Sequence, residues 1–213
     1  MNLKGLFGSD ATYIHTGEID EQSAADIATW LANKRECAKV TIVFMTFGGS
    51  VGYAFALHDT IKLMSASMEV NLVALGMCQS AGVIIMSSVE VSRRYTGPNT
   101  RFMVHALTTT RDNTKITCEP TPPDAAVLSV IEESTGIDLA EAYRLQEAVI
   151  ALLSRETQLS AEKVRAMLGS DTYFSAETAV EYGLVGTILD TTSDTATAKP
   201  PYRRWYQLRA RRK

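Results

Sequence analysis

The stretch VNLVALGMCQSAGVIIMSSV, residues 70–89, is the part of the sequence around which the rest of the chain is predicted to fold. It begins with a Val- and Leu-rich run over residues 70–75, turns through residues 76–79, and continues as a second apolar run over residues 81–89. Runs this apolar are typical of elements that are buried on all sides. The pattern predicts a strand, a tight connection and a helix at the centre of an α/β core.

Ser80 provides a hydroxyl at the joint between these two runs, and its role has two interpretations. Serine is a preferred N-cap residue, so the hydroxyl could simply cap the helix. A helix N-terminus also favours a developing anion, so the hydroxyl could instead be a nucleophile. The small residues that follow, Ala81 and Gly82, would then leave room for a substrate carbonyl.

Strand and helix patterns alternate on the N-terminal side of this stretch. Residues 12–19 predict a first strand, and residues 21–34 predict a helix after it. A second, near-continuous apolar strand is predicted over residues 39–46, followed by a glycine corner at residues 47–50 and a helix over residues 51–64. The β-α-β-α-β-α order favours right-handed crossovers and a mostly parallel sheet.

The C-terminal half predicts a further strand, an exposed arm and several helices. An apolar strand over residues 101–107 carries His105 near its end, and the Thr-rich polar segment after it indicates an exposed hairpin or extended arm. The remaining predicted elements are strands over residues 93–96 and 185–189 and helices over residues 125–133, 139–157, 160–168 and 175–182.

Length and composition exclude several classes of protein. The 213 residues fit one domain, and a hydrophobic content of 46% can form a full core. There is no apolar run of membrane-spanning length and no signal-peptide core at the N-terminus, so a cytoplasmic protein is expected. The 3 cysteines have neither CxxC nor metal-site spacing, which predicts reduced structural thiols.

The net charge of −3 is unevenly distributed along the chain. Residues 199–213, KPPYRRWYQLRARRK, carry seven basic residues and no acidic residue, which leaves −10 for the first 198 residues. The composition of residues 191–213 predicts a disordered or flexible basic tail. The alternative is a docking arm for an acidic partner or a nucleic acid.

Ser80, His105 and Asp171 are the candidates for a catalytic triad. A serine hydrolase needs a hydroxyl, an imidazole that takes its proton and a carboxylate that fixes the imidazole tautomer. Ser80 and His105 lie at the carboxyl ends of predicted strands, where sites gather in parallel α/β sheets. Each signal is weak alone, because a single histidine on an apolar strand is usually a core residue. His15 and His58 are expected to be structural or surface residues.

Gly48 and Gly49 follow the second predicted strand and also have two interpretations. They could relieve a turn that needs positive φ, or they could let backbone N–H groups approach a ligand. An oxyanion hole needs two such groups, one usually from the residue after the nucleophile, so Gly49 and Ala81 are the candidates. Phosphate-loop and dinucleotide patterns are absent, and Cys78 breaks the GxSxG elbow of α/β-hydrolases.

Five segments resemble, in order, those of the ClpP family, the proteolytic subunits of the Clp (caseinolytic) protease. The segments are TYIHTGEID (12–20), FGGSVGYAFALHDTI (47–61), GMCQSAG (76–82), GPNTRFMVH (97–105) and DTYFSAETAVEYGLVGTIL (171–189). The resemblance covers roughly residues 12–189. It implies that Ser80 is the nucleophile, His105 the general base and Asp171 its orienting group, with the N–H groups of Gly49 and Ala81 as the oxyanion hole.

The same resemblance implies a fold, a reaction and an assembly. The fold is the ClpP/crotonase-like spiral of β-α units, with a protease domain over residues 1–190 and a handle of hairpin and long helix over residues 107–158. The reaction is endopeptidase hydrolysis without metal or cofactor. The assembly is a homo-oligomeric ring of seven subunits, or a double ring of fourteen, that degrades peptides or unfolded proteins with an AAA+ unfoldase.

Several positions depart from the family pattern. Phe47 stands where the family usually has proline, and Ala81 stands where it has methionine. The segment between His105 and Asp171 is longer than usual, with the extra residues expected within residues 118–136. Such departures resemble phage-encoded or otherwise divergent members, for which a phage capsid protein is an alternative partner and protein processing an alternative role.

Two further alternatives belong to different functional classes. One is a crotonase-type acyl-CoA enzyme, whose fold shares the spiral and the oxyanion hole but has no triad; it would bind acyl-CoA without cleaving peptides. The other is a catalytically inactive ring subunit.

Overall fold

The structure is a computed structural model that describes residues 9–189; the predicted basic tail, residues 191–213, lies outside the described residues. The strands are β1 (Ala11–Ile19), β2 (Lys39–Gly49), β3 (Glu69–Gln79), β4 (Arg94–Thr96), β5 (Arg101–Val104), β6 (Thr108–Arg111), β7 (Thr114–Thr117), β8 (Thr172–Phe174) and β9 (Thr187–Ile188). The helices are α1 (Glu21–Ala32), α2 (Val51–Met64), α3 (Ala81–Met86), α4 (Ala125–Thr135), α5 (Leu139–Glu156), α6 (Ala161–Met167) and α7 (Ala176–Glu181).

Seven strands form one mostly parallel sheet, which confirms the predicted fold class. Five of them lie in the order β1-β2-β3-β4-β9 and are parallel. β5 pairs in parallel with the second half of β3, and β8 pairs antiparallel with β5. The other two strands, β6 and β7, form the separate antiparallel hairpin that the sequence predicts.

The first helix illustrates how local sequence and packing agree. The side chain of Asp20 accepts a hydrogen bond from the backbone N–H of Ser23, and the Ser23 hydroxyl in turn accepts one from the Asp20 N–H. This reciprocal capping box satisfies donors that a helix start otherwise leaves free. Ile27 and Leu31, one helical turn apart, are completely buried, as the apolar periodicity predicts.

The predicted turn over residues 76–79 is wrong, because β3 continues to Gln79. Gly76 adopts φ of +68°, which bends the strand without ending it. Before the bend β3 pairs with β4, and after it β3 pairs with β5. The predicted corner at residues 47–50 is wrong for a similar reason, since β2 continues through Gly49 at positive φ.

The helix after Ser80 ends earlier than predicted, at Met86. The hydroxyls of Ser87 and Ser88 donate to the carbonyl oxygens three residues back, each at 2.7 Å. Such local bonds compete with the helical backbone pattern and favour a helix end. The apolar run therefore continues as buried chain rather than as helix.

Arg94 is a buried cation in the body of the fold, only 2% exposed. Its guanidinium donates to the carbonyl oxygens of Val89 (2.6 Å), Ser87 (2.9 Å), Glu156 (2.8 Å) and Gly183 (3.4 Å). Burial lowers the pKa of this guanidinium to about 10, so it remains charged at neutral pH. These carbonyls lie at or beyond the C-terminal ends of α3, α5 and α7, so one side chain ties three helix ends together.

Residues 108–135, which we call the arm, comprise β6, β7 and α4. Cys118 is the only buried residue of the arm, and α4 buries none. Cys118 packs in a small cluster with Leu139, Ala142 and Tyr143 at the start of α5. The arm therefore rests on α5 rather than on a core of its own.

Within residues 9–189, no helix combines the length and the apolar character needed to cross a membrane. All three cysteines, Cys37, Cys78 and Cys118, are free thiols, as predicted.

Candidate active site

Ser80 lies between the end of β3 and the start of α3 in a strained conformation. Its φ of 51° and ψ of −117° are uncommon for a residue with a side chain, and such outliers cluster at functional sites. Ser80 occupies the N-cap position of α3, but its side chain makes no capping hydrogen bond. Its Oγ instead lies 2.9 Å from Nε2 of His105. The geometry therefore favours the nucleophile interpretation over the helix cap.

Gly48 makes space for this strained serine. A Cβ on Gly48 would lie 2.6 Å from Cβ of Ser80 and 3.1 Å from its Oγ. Gly48 also has φ of +111°, and its N–H donates to Oγ1 of Thr46 at 3.0 Å. The positive φ and the lack of space for a Cβ both require glycine at position 48. The end of β2 is therefore packed closely against the side chain of Ser80.

The structure gives Gly82 a packing role that differs from the predicted one. A Cβ on Gly82 would lie 2.6 Å from Cγ2 of Thr46 and 3.2 Å from Sγ of Cys78. The residue therefore lets α3 pack closely on β2 and β3, instead of leaving room for a substrate carbonyl. Burial raises the pKa of the Cys78 thiol, so this neighbouring sulfur stays protonated at neutral pH.

His105 directly follows β5, and strand pairing brings it to Ser80. Gln79 is the register partner of Met103, and the backbone N–H of Ser80 donates to the Met103 carbonyl at 2.8 Å. The imidazole is half-buried and faces the hydroxyl. The other two histidines are buried elsewhere in the body, with His15 7% exposed and His58 1% exposed.

Asp171 directly precedes β8 and lies on the same side of the sheet edge as His105. The antiparallel pairing of Val104 with Thr172 makes the two site residues near neighbours. They line one cavity of about 350 Å³, together with Glu119 of the arm. Within the described residues, however, the His105 ring makes no hydrogen bond to a carboxylate, so Asp171 and His105 line the same cavity without a hydrogen bond between their side chains.

A second, larger cleft of about 960 Å³ contains both Ser80 and His105. Gly49 lines it as well, at φ of +149°, where a Cβ would lie 2.2 Å from the Ile19 carbonyl oxygen. Ala81, the other predicted oxyanion residue, begins α3 and is completely buried. A cleft of this volume is within the usual range for ligand-binding sites.

Sequence reasoning missed several residues that line these two cavities. Glu18 and Phe47 border the large cleft on the sheet side, and Lys115 of the arm lines both cavities. Glu119 shares the smaller cavity with His105. The arm residues lie in a polar Thr-rich segment with no motif, so only the packing of the arm onto the body reveals them.

In the described part of the chain, no group of His, Cys, Asp and Glu side chains is arranged to hold a metal ion.

In this site a serine hydroxyl is hydrogen-bonded to an imidazole at the strand ends of a mostly parallel α/β sheet. This is the arrangement found in serine hydrolases. The model of the Clp protease family matches residues 5–117 and 128–192. The chain therefore belongs to the Clp protease family and is a serine-type endopeptidase. The unmatched residues 118–127 lie within the segment that the sequence predicts to be longer than usual.

Relatives of known identity agree with this assignment. Over 176 residues the chain is 28% identical to the ATP-dependent Clp protease proteolytic subunit 2 of Pseudomonas aeruginosa, covering 82% of this chain and 78% of that protein. Its fold is similar to ClpP1 of Listeria monocytogenes, with 26% identity and a TM-score of 0.66 over 84% of this chain and 91% of that chain. A point mutant of that ClpP1 gives 26% identity and a TM-score of 0.67, covering 85% and 92%. The family assignment decides against the crotonase-type alternative.

Proposed function

We propose that this chain cleaves peptide bonds with Ser80 as nucleophile, His105 as general base and Asp171 as the group that orients His105. The observation that carries the proposal is the 2.9 Å hydrogen bond between Oγ of Ser80 and Nε2 of His105. In this mechanism His105 takes the Ser80 proton as Oγ attacks the peptide carbonyl, and then donates it to the leaving amine. Water releases the acyl-enzyme by the same route.

The N–H groups of Gly49 and Ala81 are proposed to stabilise the tetrahedral oxyanion. Gly49 lines the cleft beside Ser80, and Ala81 follows the nucleophile at the start of α3, where backbone donors are free of helical partners. Backbone donors need no particular side chain, which is compatible with alanine at position 81.

The nucleophile is tested with a fluorophosphonate probe and a fluorogenic peptide. Wild type is expected to be labelled and to cleave the peptide, while Ser80→Ala is expected to lose both, with a rate fall of about 10³-fold or more. The control is Ser87→Ala, whose hydroxyl lies beyond α3 and donates to a backbone carbonyl. Labelling that persists in Ser80→Ala contradicts the nucleophile assignment.

The role of Asp171 is tested against Glu119, the other carboxylate that lines the cavity beside His105. Asp171→Asn is expected to lower kcat about 10²-fold or more, because a misoriented imidazole cannot accept the Ser80 proton. Glu119→Gln is expected to leave kcat within about threefold of wild type. The opposite result, with Glu119→Gln the inactive variant, transfers the orienting role to Glu119.

The proposed setting is a homo-oligomeric ring of seven subunits, or a double ring of fourteen, that degrades unfolded proteins in the cytoplasm. The Pseudomonas relative is a subunit of an ATP-dependent protease, which supports an ATP-driven AAA+ unfoldase as the partner of this chain. The free cysteines are consistent with a reducing compartment. The native mass of the particle tests the ring, and co-purification with a capsid protein instead of an unfoldase would favour phage protein processing.

A further inference from the structure

Gln146 on α5 carries a buried amide whose two ends are both hydrogen-bonded to backbone groups. The residue is 0% exposed. Its Oε1 accepts a hydrogen bond from the backbone N–H of Leu107 at 3.1 Å, and its Nε2 donates one to the carbonyl oxygen of Glu119 at 2.7 Å. One partner is a donor and the other an acceptor, so only a side chain that offers both functions satisfies them. Loss of the amide would leave two backbone groups without their partner.

Leu107, the first of these partners, lies two residues after His105. β5 ends one residue before His105 and β6 begins one residue after Leu107, so residues 105–107 belong to no strand. The Leu107 N–H donates to Gln146, and the Leu107 carbonyl accepts from the Cys118 N–H at 2.8 Å. Gln146 therefore holds the chain directly beyond the proposed general base.

Glu119, the second partner, is held by α5 at two points. Its carbonyl accepts from Gln146, and its N–H donates to the Tyr143 hydroxyl at 2.9 Å. Tyr143 precedes Gln146 by three residues, which places both side chains on one face of the helix. Within residues 9–189, the Tyr143 hydroxyl bonds to the arm and not to Leu107, whereas Gln146 bonds to both. The two side chains can therefore be compared by experiment.

We propose that Gln146 is a positioning residue for His105, which acts through Leu107 to keep the imidazole within reach of Oγ of Ser80. The inference rests on the proposed peptidase mechanism, in which His105 takes the Ser80 proton. Nε2 of His105 lies 2.9 Å from this oxygen, and a misplacement of about 1 Å in a catalytic site can cost about 100-fold in rate. Gln146 does not line the large cleft, so its loss is expected to lower kcat and to leave KM almost unchanged.

The test measures both the rate constant and the final amount of fluorophosphonate labelling at Ser80, together with peptide hydrolysis. Gln146→Met removes both bonds at a similar side-chain volume, and Gln146→Asn keeps the amide but is one methylene too short to reach both partners. Each is expected to lower kcat and the labelling rate constant about tenfold, with complete labelling at long times and KM within about twofold of wild type. Partial unfolding would instead reduce the amount of labelled protein at an unchanged rate constant.

A conservative variant and a matched control complete the test. Burial favours the neutral carboxylic acid in Gln146→Glu, which can still accept from Leu107 and donate to Glu119. Its labelling rate constant is therefore expected to stay within about threefold of wild type. Tyr143→Phe removes only the bond to the Glu119 N–H and is expected to change the rate constant by less than about twofold.

The inference is overturned if Gln146→Met and Gln146→Asn are labelled at the wild-type rate, or if Gln146→Glu is as slow as Gln146→Met. It is also overturned if Tyr143→Phe is equally slow, because the effect would then belong to the arm as a whole. If Gln146→Met does not fold, Gln146→Asn carries the same comparison. Wild-type protein that is not labelled overturns the proposed function as well. Labelled wild type with fast Gln146 variants removes only the role of Gln146.

Discussion

The body of the molecule, residues 9–107 and 139–189, and the arm, residues 108–135, differ sharply in what they bury. Each of the central strands β2 and β3 has five consecutive buried residues, and the helices beside them bury their apolar sides. The arm buries Cys118 alone, and on α4 Val127 is 48% exposed and Val130 is 65% exposed. The body is thus held by its own core, whereas the arm depends on what lies against it.

Because of this difference, the two halves of the candidate site are supported differently, one by strands of the body and the other by the arm. Ser80 and His105 are both attached to body strands whose register places Oγ of Ser80 2.9 Å from Nε2 of His105. The cavity beyond His105 has one wall formed by the arm, including Lys115 and Glu119. A two-stranded hairpin is marginally stable by itself, so the arm side of the site is set by its contacts with the body, including α5 and α6. One of these joins the Glu119 N–H to the Tyr143 hydroxyl at 2.9 Å.

The largest expected effect comes from removing the buried cation of the body. Arg94→Met leaves four carbonyl oxygens without their donor, so the free energy of unfolding is expected to fall by about 4 kcal/mol. The neighbouring, half-exposed Arg93 is the control, and Arg93→Met is expected to cost less than about 1 kcal/mol. Urea denaturation measures both, and similar small losses would show that Arg94 does not hold the helix ends together.

The next effect tests whether the close packing of the body extends to Ser80, the proposed nucleophile. Gly48→Ala and Gly17→Ala introduce a Cβ at similar φ, +111° and +103°, but only the first meets Ser80. Both are expected to lose about 1–3 kcal/mol of stability through backbone strain. Only Gly48→Ala is expected to lower kcat/KM about 10²-fold, because it displaces the serine. Peptide hydrolysis and urea titration together separate the two effects, and equal activity losses would contradict this role of Gly48.

A smaller effect on the stability of the body is expected from a change in pH. Burial lowers the pKa of His15 below its ordinary value of 6.5. As the pH falls below 6.5, the unfolded chain binds a proton at His15 that the folded chain does not bind, so stability declines toward acid. His15→Gln is expected to flatten this part of the stability–pH curve, measured by urea denaturation at intervals from neutral to acidic pH. An unchanged slope would mean that His15 does not contribute to acid sensitivity.

The smallest effect is expected in the arm. Val130→Ser is expected to change the free energy of unfolding by less than about 0.5 kcal/mol, because the side chain is 65% exposed. The matched change in the body, Val164→Ser, removes a side chain that is 1% exposed and is expected to cost about 2 kcal/mol. Equal costs would indicate that α4 is covered by another copy of the chain, and the contrast between arm and body would then apply only to the isolated subunit.

Much of the fold follows from local pattern. The bounds of α2 agree with the sequence prediction, and β1 and α1 agree within two residues at each end, because apolar periodicity and capping act within one or two turns of chain. The predicted strand ends are wrong at Gly76 and at Gly48–Gly49, where the glycines predict turns. There the strands continue, because pairing with a neighbouring strand outweighs the local preference of glycine for turns.

Local sequence is enough to predict the alternation of strands and helices, the family resemblance, and the choice of Ser80 and His105 as candidates. These depend on residue types and spacings that are visible along the chain. Packing in three dimensions sets the strained φ of Ser80, its hydrogen bond to His105, and the placement of Asp171 beside His105 in one cavity. Each of these depends on register and packing between strands that are distant in sequence, and no local pattern carries that information.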